Sequence, residues 1–197
     1  MQRFAMYGRS ALTPDAPRVR RERRIVGIDA SLTSTGYAYL REGVPVTSHI
    51  PTGDLRGPAR LFYIEERIAN VLKLVQPSIV VIEDYAMNMK RQGAGRAYSI
   101  GELGGVLRLL AHRNGANVEL VSPTTLKKFI SGVGKGSDKT VVQRAILAQF
   151  GYNVTQNDEA DALALLLFGQ VKYNGLQGGF TKPVSTIVHP GRLTPRS

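Results

Sequence analysis

The chain has 197 residues, which most simply make one domain, large enough to bury roughly 70% of its unfolded surface. It has no cysteine, which excludes disulfides and thiolate metal sites, and its longest apolar run, "ALALLLF" at 162–168, is far short of the roughly 18 residues of a membrane span. The net charge of +11 sits mostly at the ends: residues 1–24 carry seven Arg against Asp15 and Glu22, and residues 170–197 carry Lys172, Lys182, Arg192 and Arg196 with no acid.

Residues 1–23 and 171–197 show weak periodicity and scattered Gly, Pro and Arg, so they read as basic flexible tails around a folded domain at 24–170. Such tails favour polyanions through counterion release, with nucleic acid the commonest partner; the plainer alternative is that they only aid solubility. The Arg-rich start also resembles a mitochondrial presequence, but Pro14, Pro17 and "RRERR" interrupt the amphipathic helix that would need. No secretory apolar region stands there, and a reducing cytosol, in a bacterial or phage-infected cell, fits.

Within the domain, "RIVGIDASL" (24–32) is a buried strand entering a turn. "TGYAYLRE" (35–42) and "VPVTSHIPT" (44–52) are two further strands joined by a tight turn at Gly43. Residues 58–77 place Leu61, Ile64, Ile68, Val71, Leu72 and Val75 at helical spacing, and Pro77 ends the helix. A strand follows at 78–85, a helix at 99–115, a strand at 117–123, and helices near 123–131, 137–150 and 157–170. Hairpin strands first and crossover helices later give an α/β fold with a five-stranded mixed sheet, its first three strands antiparallel, flanked by helices.

Three acidic stretches stand where solvation does not explain them. Asp29 ends the apolar "IVGI", Glu83 ends "IVVI", and Asp158 and Asp161 open the last helix in "NDEADALALLL". Sheets with crossover helices carry their sites at the carboxyl ends of strands, so neighbouring first and fourth strands would bring Asp29 and Glu83 together. Asp158 and Asp161 share a helix face at i and i+3, whereas Glu159 points elsewhere and is expected in solvent. Ala160, Leu163, Ala164 and Leu167 mark the stripe expected against the sheet. Four gathered carboxylates repel and raise one another's pKa values; a hard divalent cation, Mg²⁺ or Mn²⁺, resolves this, and two ions about 4 Å apart suit phosphodiester cleavage. Alone, each stretch has an ordinary reading: a cap and dipole for the helix start, a turn residue for Asp29.

These blocks, in this order, resemble the RuvC-type Holliday junction resolvases of the RNase H-like superfamily. "GIDASLTSTGYAYL" is similar to the family's first block, "VVIEDYAMNMK" to the second, "GVGKGSDKTVVQRAI" to the basic stretch before the last helix, and "DEADALALLL" to the final Asp-x-x-Asp-Ala-Leu-Ala block. The resemblance covers about 24–170. It implies a homodimer that places two Mg²⁺-dependent sites on a four-way DNA junction and nicks opposing strands. It also implies Asp29, Glu83, Asp158 and Asp161 as metal ligands and catalytic residues, Lys139 as the catalytic basic residue near the scissile phosphate, and Lys127 as a basic residue on the preceding helix. The helix around 99–113 would form the dimer interface through Leu103, Gly104, Gly105 and Leu107, the glycines allowing close approach. The chain departs from the pattern where Ala30 and Ser31 replace Pro-Gly, where Ala86 replaces a wedge Phe with Tyr85 and Met87 as substitutes, and in a loop one residue longer before Lys139. These departures bear on junction selectivity more than on chemistry, and a phage-encoded member with relaxed preference is consistent with them.

"GVGKGS" (132–137) fails the phosphate-loop spacing and follows a helix, so nucleotide binding is rejected there and contact of Lys135 with a phosphate backbone is kept. Lys90, Arg91 and Arg96, interleaved with glycines and near Tyr85 and Tyr98, suit distorted or single-stranded DNA, as do Met87, Lys127 and Lys128 around them. His49, His112 and His189 lack ligand spacing and are expected to be structural or exposed. Two rivals remain. A sugar-kinase or ATPase lobe shares a strand-turn like "GIDASLTSTG" but needs a second lobe; a non-cutting binder of branched DNA gains nothing from four clustered acids.

Overall fold

The structure, a computed structural model, describes residues 22–84, 94–132 and 140–175. Its elements in chain order are β1 (Ile25–Asp29), β2 (Ser34–Arg41), β3 (Val44–Pro51), α1 (Gly57–Val75), β4 (Ile79–Glu83), α2 (Ala94–Arg113), β5 (Asn117–Val121), α3 (Pro123–Ser131), α4 (Thr140–Phe150) and α5 (Asn157–Asn174). The sheet order is β3-β2-β1-β4-β5, with β1, β2 and β3 antiparallel and β4 and β5 parallel to β1. This is the mixed sheet expected from the sequence. No helix among the described residues is long and apolar enough to cross a membrane.

Helices cover both faces, which is why β1 and β4 are continuous apolar runs. Val26, Ile28, Val80 and Ile82 pack with Ile64, Ile68 and Leu72 of α1 and Leu103, Leu107 and Leu110 of α2. On the other face Ile25 and Val81 meet α5, with Leu126 and Ile130 of α3 and Ile146 of α4 in the same cluster. Local signals end several helices. Gln76, at φ 46°, closes α1 by donating its N–H to the Leu72 carbonyl, and Ser122 caps α3 by accepting from the Thr125 N–H.

Three details differ from the sequence reading. α2 begins at Ala94, five residues earlier than expected, because glycines weaken a start that tertiary packing supplies. α5 runs on to Asn174, where Lys172 and the Tyr173 hydroxyl bind the two oxygens of Glu119 on β5 at 2.5 Å each, and Asn174 bonds Arg23. The packed region therefore reaches beyond 24–170 at both ends. Lastly, α5 is buried nearly all round, since it lies between the sheet and α3–α4.

Leu103 and Leu107 face inward. At 0% and 1% exposure they belong to the chain's own core, Gly104 is buried too, and none of the three has surface to give a partner. The helical repeat puts them on the side of α2 that meets α1 and the sheet, leaving Gly105, with open space where a side chain would be, Val106 and Leu109 towards the outside.

Candidate active site

Strand register brings the acids to one end of the sheet. Parallel pairing of β1 and β4 runs through Ile28↔Ile82, so Asp29 and Glu83 are the next residues of adjacent strands. Both lie on the face that carries Ile25, Gly27 and Val81, the face against α5. Two glycines let that helix sit close. A Cβ on Gly27 would lie 2.3 Å from the Ala162 carbonyl oxygen, and one on Gly36 would lie 2.0 Å from the Asp158 carbonyl oxygen. Gly36 is the cross-strand partner of Asp29, so the first turn of α5 rests directly beside the Asp29 carboxyl.

The sheet-facing contacts of α5 run through Asp158, Ala162, Leu165, Leu166 and, against Ile25 and Val81, Gly169. The stripe expected from Ala160, Leu163, Ala164 and Leu167 is buried, but the close sheet contacts are made by this neighbouring series. Asp158 thus stands at the head of the sheet-facing side. The cap residue is Gln156, which makes no side-chain cap bond.

Electrostatics shows the acids acting on one another. Burial pushes the Asp29 carboxyl well above its ordinary range, and the charges of Glu83, Asp161 and Asp158 push it further. The hydrogen bond between the two carboxyls raises Asp29 and lowers Glu83. Glu83 is raised to about 7, first by burial and then by Asp161; the Asp29 bond and the Lys127 ammonium hold it back. Asp161 rises to about 6 through burial and Asp158, again restrained by Lys127. Among the described residues no three acidic or His side chains close around one point as a finished ion cage would. What the structure presents is a mutually repelling group of oxygen donors, Asp29 buried and Glu83, Asp158 and Asp161 half-buried, the donor chemistry that suits a hard divalent cation.

Lys127, on α3, is thus beside Glu83 and Asp161, while Lys128 is exposed. Arg96 falls in the first turns of α2. Tyr85, Met87, Lys90, Arg91, Lys135 and Lys139 lie outside the described residues. Glu159 overturns its expectation: it is 2% exposed, not solvated, because Thr47 and His49 on β3 meet its carboxylate. His49 is therefore an anchored residue, and His112 is exposed at the end of α2. Sequence reading missed Gly27, Gly36 and Thr47; only the Gly at alternating strand positions under an apolar helix hints at the first two.

The sequence profile of the family described as crossover junction endodeoxyribonuclease RuvC matches residues 25–168, the whole stretch from β1 to α5. The chain belongs to this RuvC family. Curated RuvC relatives include that of Sphingopyxis alaskensis, 30% identical over 150 residues, spanning 73% of this chain and 94% of that one. The relative from Caldicellulosiruptor saccharolyticus is 29% identical over 155 residues, 73% of this chain and 90% of its own. Among solved structures, Thermus thermophilus RuvC superposes with a TM-score of 0.61 at 21% identity, covering 77% of this chain and 96% of that chain. The T. thermophilus RuvC solved in complex with a Holliday junction gives 0.62 at 21%, covering 74% and 91%. That likeness establishes the RNase H-like fold. RuvC membership makes the chain a crossover-junction endodeoxyribonuclease of a metal-dependent family and sets aside both the kinase-like lobe and the non-cutting binder.

Proposed function

We propose that this RuvC protein works as a homodimer that nicks opposing strands of four-way DNA near the branch point, with Asp29, Glu83, Asp158 and Asp161 holding two Mg²⁺ ions, for which Mn²⁺ can substitute. The carrying observation is the gathering of the four acids at one end of the sheet by the β1–β4 register and the close approach of α5 at Gly36, with buried Asp29 raised by burial and by all three of the others. Gathering four carboxylates with, among the described residues, only Lys127 near them costs stability, and such a cost persists where function needs it. Bound, the ions supply electrophilic activation of the scissile phosphate and of the attacking water.

The chain's own contribution is placement. β1 and β4 fix the Asp29 and Glu83 carboxyls on a rigid sheet, and Gly36 lets α5 bring Asp158 up beside them. Lys127, close enough to lower Glu83 and Asp161, is set to meet a phosphate oxygen as DNA approaches the acids. Lys139 and the basic, aromatic stretch of Tyr85, Met87, Lys90, Arg91 and Arg96, with Lys128 and Lys135, would grip the backbone around the branch.

The test is cleavage of labelled four-way, Y-shaped and linear duplex DNA in Mg²⁺, beside Asp161→Asn. Wild type is expected to cut near the branch, most efficiently in the four-way substrate. The variant should keep junction binding and lose more than about a hundredfold in rate, more than the loss from outer-shell changes. Equal cutting by the variant would remove Asp161 from the metal centre.

A further inference from the structure

Glu159 stands between Asp158 and Asp161 in the first turn of α5, yet its carboxylate turns away to β3. One oxygen accepts from the Thr47 hydroxyl at 2.8 Å, and the other lies 2.8 Å from His49 Nδ1, which donates when it carries the proton. Glu159 is 2% exposed and Thr47 0%, whereas the His49 side chain is 34% exposed. Placing a carboxylate in so dry a position is costly unless its bonds are kept, so these two contacts resist being broken.

The register shows what this contact controls. On β3, His49 pairs with Gly36 of β2, and Gly36 pairs with Asp29 of β1. One transverse row of the sheet therefore carries Asp29, Gly36 and His49 beneath the first turn of α5. Gly36 sets how close the helix comes, because the Asp158 carbonyl occupies the space of its missing side chain. It does not set how the helix is rotated about its own axis. Successive residues differ by about 100° around a helix, so a fixed direction for Glu159 fixes the directions of Asp158 and Asp161 as well.

We propose that Thr47 and His49, acting through Glu159, are positioning residues that set the roll of α5 and so present Asp158 and Asp161 to the metal centre. The proposal rests on the assignment of those two aspartates as metal ligands. Its role is orientation: the Glu159 carboxylate is engaged by Thr47 and His49 on β3 and acts on the neighbouring aspartates through the helix.

Mn²⁺ binding to the full-length protein, followed through the electron paramagnetic resonance signal of free Mn²⁺, tests this without catalysis. Thr47→Val keeps the shape and removes the donor; His49→Gln changes a half-exposed side chain that packing does not require. Both are expected to weaken Mn²⁺ binding about tenfold, with junction affinity in the absence of metal unchanged. Thr47→Ser, which restores the hydroxyl, should regain wild-type binding. In cleavage assays the two variants should need correspondingly more Mn²⁺ for half-maximal rate. Wild-type Mn²⁺ affinity in folded Thr47→Val and His49→Gln, whatever their melting temperatures, would overturn the positioning role alone. A wild-type protein that binds no Mn²⁺ would overturn the metal centre and this role with it.

Discussion

Asp29 closes β1 at 8% exposure, and burial together with the charges of Glu83, Asp161 and Asp158 holds its carboxyl well above the ordinary range. The stability of the ion-free protein must then depend on pH in an unusual sense. Glu83 titrates near 4.5 when unfolded and about 7 when folded, and Asp161 near 3.8 and about 6. Between those values the folded state binds more protons than the unfolded one, so stability is highest below the window and falls as pH rises through it. One pKa unit is about 1.4 kcal/mol, and coupling and partial solvation reduce the effect, so the expected loss from pH 5 to 8 is on the order of 1–3 kcal/mol. Thermal melts in EDTA at pH 5 and 8 measure it. Glu83→Gln should raise the melting temperature at pH 8 and flatten the slope while abolishing cleavage. Mg²⁺ should recover the pH 8 loss in wild type, because it binds only the folded state. A melting temperature constant from pH 5 to 8 in EDTA would contradict the raised Glu83 and Asp161 carboxyls.

α5 is the element on which the site depends, and Gly36 is where the sheet admits it. Ala at Gly36 would place a methyl 2.0 Å from the Asp158 carbonyl oxygen and 2.6 Å from its carbon, both backbone atoms that cannot move independently. The expected cost is about 3 kcal/mol or more, with cleavage lost even in the folded fraction because Asp158 shifts. Ala at Gly105, inside α2 with open space before it, should be neutral or stabilise the monomer by up to about 1 kcal/mol. Circular dichroism melts of the two variants side by side provide the comparison. Much of this arrangement was legible in the chain. Apolar runs ending in Asp29 and Glu83 marked β1 and β4, and Asp-x-x-Asp marked the head of α5, because these signals are local and periodic. The orientation of α5 was not legible, since "ADALALLLFGQ" is apolar on every side and its spacing cannot say which side meets the sheet. Nor was Glu159, whose partner His49 is 110 residues away in the chain. For α2, a helical apolar face was visible, but whether Leu103 and Leu107 met the chain's own core or a partner was decided by α1, which packs over them.

At the scale of the molecule, charge and symmetry take over. Deleting residues 1–21 removes five Arg and one acid and should weaken junction binding and flatten its salt dependence by up to about four in slope if each excess charge meets a phosphate; an unchanged slope would take this tail out of DNA contact. Symmetry concerns the face opposite α5. There α1 and α2 leave Phe62 67% and Leu109 50% exposed, bounding a groove of about 240 Å³ lined also by Leu61, Val106 and Leu110, with Glu65 and Arg113 at its rim. An apolar groove flanked by one acid and one base is self-complementary under a twofold axis: Glu65 of each copy can face Arg113 of the other while Phe62 enters the opposite groove. With Leu103 and Leu107 buried in the chain's own core, this outer surface is the candidate meeting face for the proposed homodimer. If the proposed dimer forms through this face, Phe62→Glu combined with Leu109→Glu should convert it to a monomer by sedimentation at micromolar concentration, with the fold intact because both side chains are already in solvent. The monomer should still nick, since all four proposed metal ligands come from one chain, but nicks in opposing strands should become independent events. Measured on a supercoiled plasmid carrying a cruciform, that change appears as nicked circles accumulating ahead of linear product. A double variant that remains dimeric and linearises the plasmid as wild type does would move the interface elsewhere on the molecule.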